Sequence, residues 1–164
     1  SRYNKTEIIK DVTINNIKIN KTDSIGETKI YKPVEDEKVM FKNTNENETE
    51  EIVYTGEMES NIKQQKISNQ GGIIAFRYAI NNLSTYISNE NEEVDYGKLL
   101  QLTDIKEENI KTTISFDFII TLTTNRKYQT NIQIDIPAKE VIEKGVAGIE
   151  LTEFNNLIFK RIEN

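Results

Sequence analysis

Asp117 and Asp135 are the acids whose mutual position the sequence comes closest to dictating. Both lie where apolar and polar residues alternate, and alternation puts every second side chain on one face of a strand. With Leu122 opposite Tyr128, Asp117 faces Gln133 and Asp135 faces Ser115. The acids are then diagonal neighbours roughly 7–8 Å apart at the backbone. Two carboxyl groups at that spacing can act as general acid and base, as in inverting glycoside hydrolysis, or hold a calcium ion weakly. Acids on an exposed sheet face more commonly serve solubility and guard against edge pairing. No arginine adjoins either acid, so no catalytic residue is assigned. Ser115, Asp117, Gln133 and Asp135 are taken as a candidate interaction surface, with Thr113, Thr121, Thr123 and Asn131 extending the polar ladder and Ile119 as its one apolar member.

Other chemistry is constrained by what the 164 residues omit: histidine, cysteine and tryptophan are all absent. Imidazole and thiolate are the groups that most readily exchange protons or bind soft metals near neutral pH. Without them a serine triad cannot form, and no Gly-x-Ser-x-Gly elbow is present. Ser68 with Lys66 as its base is formally conceivable, but nothing places the two in a pocket. The acidic run Glu46, Glu48, Glu50 and Glu51 lacks the order of a calcium-binding loop. Gly71-Gly72 has neither the further glycine nor the Lys-Ser/Thr that a phosphate loop requires. Arg77 and Tyr78, with Phe76 and Tyr86 nearby, form a second candidate interaction patch, because Tyr and Arg concentrate at interface centres; packing of these residues onto the sheet is the competing reading. No cofactor or metal is expected.

A net charge of −6 and an isoelectric point near 4.9 set up a field that repels phosphate backbones and anionic lipid, which argues against a nucleic-acid partner. The apolar share is 36%, low for a globular chain but above the level that prevents folding, so a folded domain with long polar loops is expected. No run of about 18 apolar residues exists. Membrane contact is therefore expected only through a segment preceding Ser1. The absence of cysteine rules out disulfides and favours an exported protein from an organism that makes little use of them.

The elements that must position these residues read as an α+β fold: one β-rich antiparallel domain over residues 1–164, with a helical insert at about 72–103 and a long hairpin at 110–137. Ile114, Phe116, Phe118, Ile120 and Leu122 alternate with polar residues, and Tyr128, Ile132, Ile134 and Ile136 repeat the pattern after Thr124-Asn125-Arg126. Directly opposed residues share a face, so pair sums must be even; Leu122 opposite Tyr128 closes a three-residue loop in this reading. Pro137 ends the second arm.

Val12 and Ile14 share one phase and Ile17 and Ile19 the other, so a strand there must bulge or turn at Asn15-Asn16. Short strands are expected at Thr28–Tyr31, Val39–Lys42 and Ile52–Thr55. The intervening 43–51, with no apolar residue, reads as a solvated, mobile acidic loop. Ile73, Phe76, Ile80, Leu83 and Ile87 recur at helical spacing, with strand as the competing reading for Gly72–Tyr78. Asp95 caps a short helix through Leu102. Val146–Leu151 and Leu157–Ile162 complete a C-terminal meander with a turn at Asn155-Asn156.

The sequence thus points to a non-enzymatic, extracytoplasmic protein-interaction domain at the cell envelope or surface, membrane-anchored if a leader precedes it, whose partners are other proteins of a surface assembly. In architecture this is similar to a pilin-like or secretion-apparatus subunit, although residues 8–20 favour a strand where a pilin carries its long helix. The alternative is a glycan or small-ligand binding module that uses the polar outer face of the hairpin.

Overall fold

The computed structural model describes residues 7–34, 38–55, 67–68, 71–72, 74–81, 83 and 96–163. It is mostly antiparallel sheet with little helix. The strands are β1 (Ile9–Lys21), β2 (Thr28–Tyr31), β3 (Ile52–Thr55), β4 (Ile67–Ser68), β5 (Gly71–Gly72), β6 (Arg77–Ile80), β7 (Thr112–Leu122), β8 (Lys127–Asp135) and β9 (Lys160–Ile162). Two short α-helices, α1 (Tyr96–Gln101) and α2 (Ala138–Lys144), and two 3-10 turns at Asn45–Asn47 and Glu107–Asn109 complete the described elements. The main sheet has the order β3-β1-β7-β8-β9, while β2 pairs with β6 and β4 with β5.

Period-two patterning decides which side of the main sheet is covered. On β7 the even positions Ile114 and Phe116 are buried, and on β8 Thr130 and Ile132 match them. With Ile14 and Ile52, residues Ile114, Phe116 and Ile132 form the core cluster; Ile74, Phe76, Tyr78 and Leu157 pack onto it. The Phe76 and Phe116 rings meet edge to face, with centroids 5.5 Å apart and planes at 88°, the arrangement their quadrupoles favour. Tyr78 also approaches Thr112, with 3.4 Å between their hydroxyl oxygens. Burial is the main influence on the Tyr78 phenol and raises its pKa, against the opposing hydrogen bond with Thr112.

The phase break in β1 is a bulge, as its sequence requires. The register to β7 shifts between Asn15 and Lys18, and Asn16 takes a left-handed backbone with φ 51. Asparagine visits that region at low cost because its short polar side chain can hydrogen-bond locally. The extra residue brings Ile17 round to the core side with Val12 and Ile14, so both halves of the strand keep their apolar residues inward.

The β7–β8 hairpin keeps the expected parity but not the expected register. Its pairs run from Thr113↔Asp135 to Thr121↔Lys127, so Ile120, not Leu122, faces Tyr128. The loop is Thr123-Thr124-Asn125. Leu122 N–H donates to the Arg126 carbonyl at 2.9 Å, and Asn125 N–H to the Leu122 carbonyl at 2.8 Å. Asn125 has φ 61, the left-handed third position that closes a three-residue hairpin loop. Moving the loop back by one residue shifts every pairing by two, which preserves the faces and changes every partner. Asn125→Val should cost about 1–2 kcal/mol, because a β-branched residue resists that backbone, while Asn125→Gly should be neutral or slightly stabilising. Urea unfolding midpoints of the two variants check this.

Several expected elements differ. The helix proposed across Gly72–Ser88 is not formed at its described centre, where Arg77–Ile80 pairs with β2. The β-prone Ile-Ala-Phe-Arg-Tyr content outweighs the three-four spacing once a partner strand is available. Ile73 and residues 84–95, including Tyr86 and the Asp95 cap, lie outside the described residues, as does Lys66, while α1 itself forms. Val39–Lys42 forms no strand; the Met40 carbonyl accepts from Val34 N–H at 2.9 Å. The acidic loop is tied to β2, not free: Thr49 N–H bonds the Ile30 carbonyl at 3.0 Å, Lys32 N–H the Asn47 carbonyl at 2.9 Å, and Lys29 pairs with Glu48 at 3.0 Å.

The unexpected helix α2 has a legible origin in Pro137 at its start and Gly145 at its end. Gly145 has φ 73, and its N–H caps the Val141 carbonyl at 2.7 Å. Lys144 pairs with Glu140 one turn earlier at 3.0 Å. The helix packs beside α1, where the Gln101 side-chain amide donates to the Glu143 carbonyl at 3.1 Å.

Candidate interaction surface

The outer face of β1, β7 and β8 gathers the odd-numbered hairpin residues Ser115, Asp117, Gln133 and Asp135 as expected, although their relations differ. Asp117 lies opposite Asn131, Ser115 opposite Gln133, and Asp135 opposite Thr113. Thr113 is four residues from Asp117 on the same strand, so the acids are offset by about 13 Å along it. The close carboxylate pair therefore does not exist, and the acid–base and calcium readings built on that pair fall with it.

Each acid is instead held by neighbouring hydrogen-bond donors. Asn16, presented by the β1 bulge, donates its amide to Asp117 Oδ2 at 3.0 Å, and Asn131 donates to Oδ1 at 3.1 Å. The bond from Asn16 does most to hold the Asp117 carboxyl below its usual pKa; slight burial opposes it, and Asn131, Gln129 and the Lys18 charge add to it. Thr113 donates its hydroxyl to Asp135 at 2.7 Å. Asp117 thus fastens the bulge of β1 to β7 and β8.

A depressed carboxyl pKa contributes stability that is present above the unfolded value, about 3.9, and is lost as pH falls through the folded one. Wild type should therefore exceed Asp117→Asn in stability at neutral pH, and the gap should close as pH drops below about 4. Urea midpoints measured across that range check it, and parallel curves would contradict the role given to Asp117.

Towards the loop end, the same face carries a shallow depression of about 570 Å³, with Ile119 on its floor and Asp11, Thr13, Asn15, Glu51 and Lys127 among its walls. Ser115, Asp117, Gln133 and Asp135 do not line it. Both signs of charge and several hydroxyl and amide groups can hydrogen-bond a small polar molecule there. Among the described residues, no group of three or more acids is placed to hold a metal, and no helix is long and apolar enough to cross a membrane.

Arg77 and Tyr78 do not join this surface. They sit on β6, which packs on the opposite, inner side, and as consecutive strand residues they point apart. Tyr78 is half-buried against the core and Arg77 is exposed.

The surface that sequence reasoning missed lies near the C-terminus. Expected strands at Val146–Leu151 and Leu157–Ile162 would have buried their apolar residues; only Lys160–Ile162 forms. Between α2 and β9 the chain is irregular, turning at Asn155-Asn156 with Leu157 N–H bonded to the Phe154 carbonyl at 3.0 Å. Val146, Ile149, Leu151, Phe154, Ile158 and Phe159 are all exposed, Ile158 at 75% and Phe154 at 50%. The Phe159 ring still meets Phe118 edge to face, with centroids 6.1 Å apart. The signal available in the sequence was apolar residues without strict alternation between Gly145 and Lys160, a poor pattern for a half-buried strand.

Comparison of the chain with known protein families, with characterised proteins and with solved structures gives no match.

Proposed function

We propose that the chain is a protein-interaction domain, non-enzymatic and extracytoplasmic, which associates with another protein of a cell-envelope or surface assembly through residues 146–159. The observation that carries this reading is the concentration of large apolar side chains in that segment, exposed and held by an irregular backbone. Scattered surface leucines or isoleucines need no explanation, but a concentration of them characterises contact surfaces. Full burial of each such side chain favours association by roughly 1.5–3 kcal/mol before the cost of bringing two molecules together. The cysteine-free composition and acidic charge support an exported protein that avoids nucleic acid and anionic lipid.

Immobilised protein presented with detergent-solubilised envelope from the source cells should retain a discrete envelope protein. A Phe154→Asp/Ile158→Asp double variant should melt at an unchanged temperature yet retain much less of it. Failure to retain any envelope protein, or equal retention by the double variant, contradicts the assignment.

A further inference from the structure

Among the described residues, the main sheet is left open along half of β8. Strand β9 covers only Lys127–Gln129, with Lys160 opposite Gln129; upstream of Lys160 the chain leaves the edge and Leu157 turns into the core. On the other side, Ile136 N–H bonds the Thr112 carbonyl and Leu122 N–H the Arg126 carbonyl. With the pairing between them, these bonds assign the backbone groups of the even β8 residues to β7. The odd residues Asn131, Gln133 and Asp135 therefore present N–H and C=O outward. Among the described residues no backbone group pairs with them, and all three side chains are exposed. Strand β9, which covers the other part, carries Lys160 and Arg161, charged residues of the kind that discourage edge pairing; the open part of β8 carries no cation.

We propose that two copies of the chain pair antiparallel through this open edge, about a twofold axis at Gln133, joining their main sheets into one. The register is self-complementary. Gln133 meets Gln133 of the second copy, and Asn131 meets Asp135 in both directions, an amide against a carboxylate instead of acid against acid. Each of these pairs exchanges both of its backbone hydrogen bonds. On the inner face Ile132 meets Ile134, so apolar residues oppose apolar residues. The length fits as well: the open stretch begins after Gln129, where β9 stops, and ends before Pro137, which has no N–H to offer. A twofold interface needs one patch that complements itself, and this one does so in side-chain chemistry, face and length. It is separate from the 146–159 segment and stands or falls independently.

Sedimentation velocity over a dilution series tests it. Wild type should show a monomer–dimer equilibrium. Gln133→Glu and Gln133→Lys, each placing like charges across the axis at an exposed position, should each weaken the dimer about fivefold. Mixing the two variants should restore a dimer, now a heterodimer. A wild type that stays monomeric at every concentration overturns the proposal, as do variants that dimerise like wild type or a mixture that restores nothing. A dimer lost only in the Phe154→Asp/Ile158→Asp variant would likewise overturn it and assign self-association to the C-terminal segment.

Discussion

Ile114→Asp should yield no folded protein, whereas Ile119→Asp, five residues later on the same strand, should fold with near wild-type stability. Ile114 is 1% exposed at the centre of the core cluster, on a strand flanked by β1 and β8. A carboxyl group there has no partner, and either charged or neutral it is expected to cost at least about 4 kcal/mol. That loss is comparable to the whole stability of many domains, about 5–15 kcal/mol. Ile119 points to the outer face, where an added carboxylate meets water and Lys127, which lines the same depression. Circular dichroism and denaturant unfolding of the two variants test the face assignment on which the surface description rests. Equal damage from both would refute it.

Phe116→Ala should fold but lose about 3–5 kcal/mol, lowering the melting temperature by roughly 10 °C. The ring is 3% exposed and is the meeting point of β7 with the segment that carries Phe76. Truncation removes both the buried area and the edge-to-face contact, and it leaves a cavity between two layers that the rest of the sheet holds apart. Phe159→Ala removes a ring that is 36% exposed and whose contact with Phe118 lies at the margin, so its loss should be much smaller. If the two substitutions cost the same, the core is not centred where the cluster of Ile14, Ile52, Ile114, Phe116 and Ile132 places it.

What could be read from the chain without its structure follows the strength of local pattern. The β7–β8 arms alternate so strictly that their faces were legible, and the Val12/Ile14 to Ile17/Ile19 phase break located the β1 bulge to the residue pair. Register was not legible to the same degree, because parity admits any even offset, and the loop geometry at Asn125 chooses among them. That two-residue difference decides whether Asp117 and Asp135 are neighbours, so the candidate chemistry depended on the least determined quantity. Arg77–Ile80 shows the converse. Its spacing favoured a helix, and pairing with β2, a contact distant in sequence, made it a strand. The exposed 146–159 segment was missed because apolar content alone was read as strand, without the alternation that half-burial requires.

The most direct test of the central claim is photocrosslinking in the source cells, with benzoyl-phenylalanine placed at Phe154 and, as the comparison, at Ser115 on the outer sheet face. Position 154 should give a discrete crosslink to one envelope protein and position 115 a much weaker one. Crosslinks of equal strength from both positions, or from position 115 alone, would contradict it.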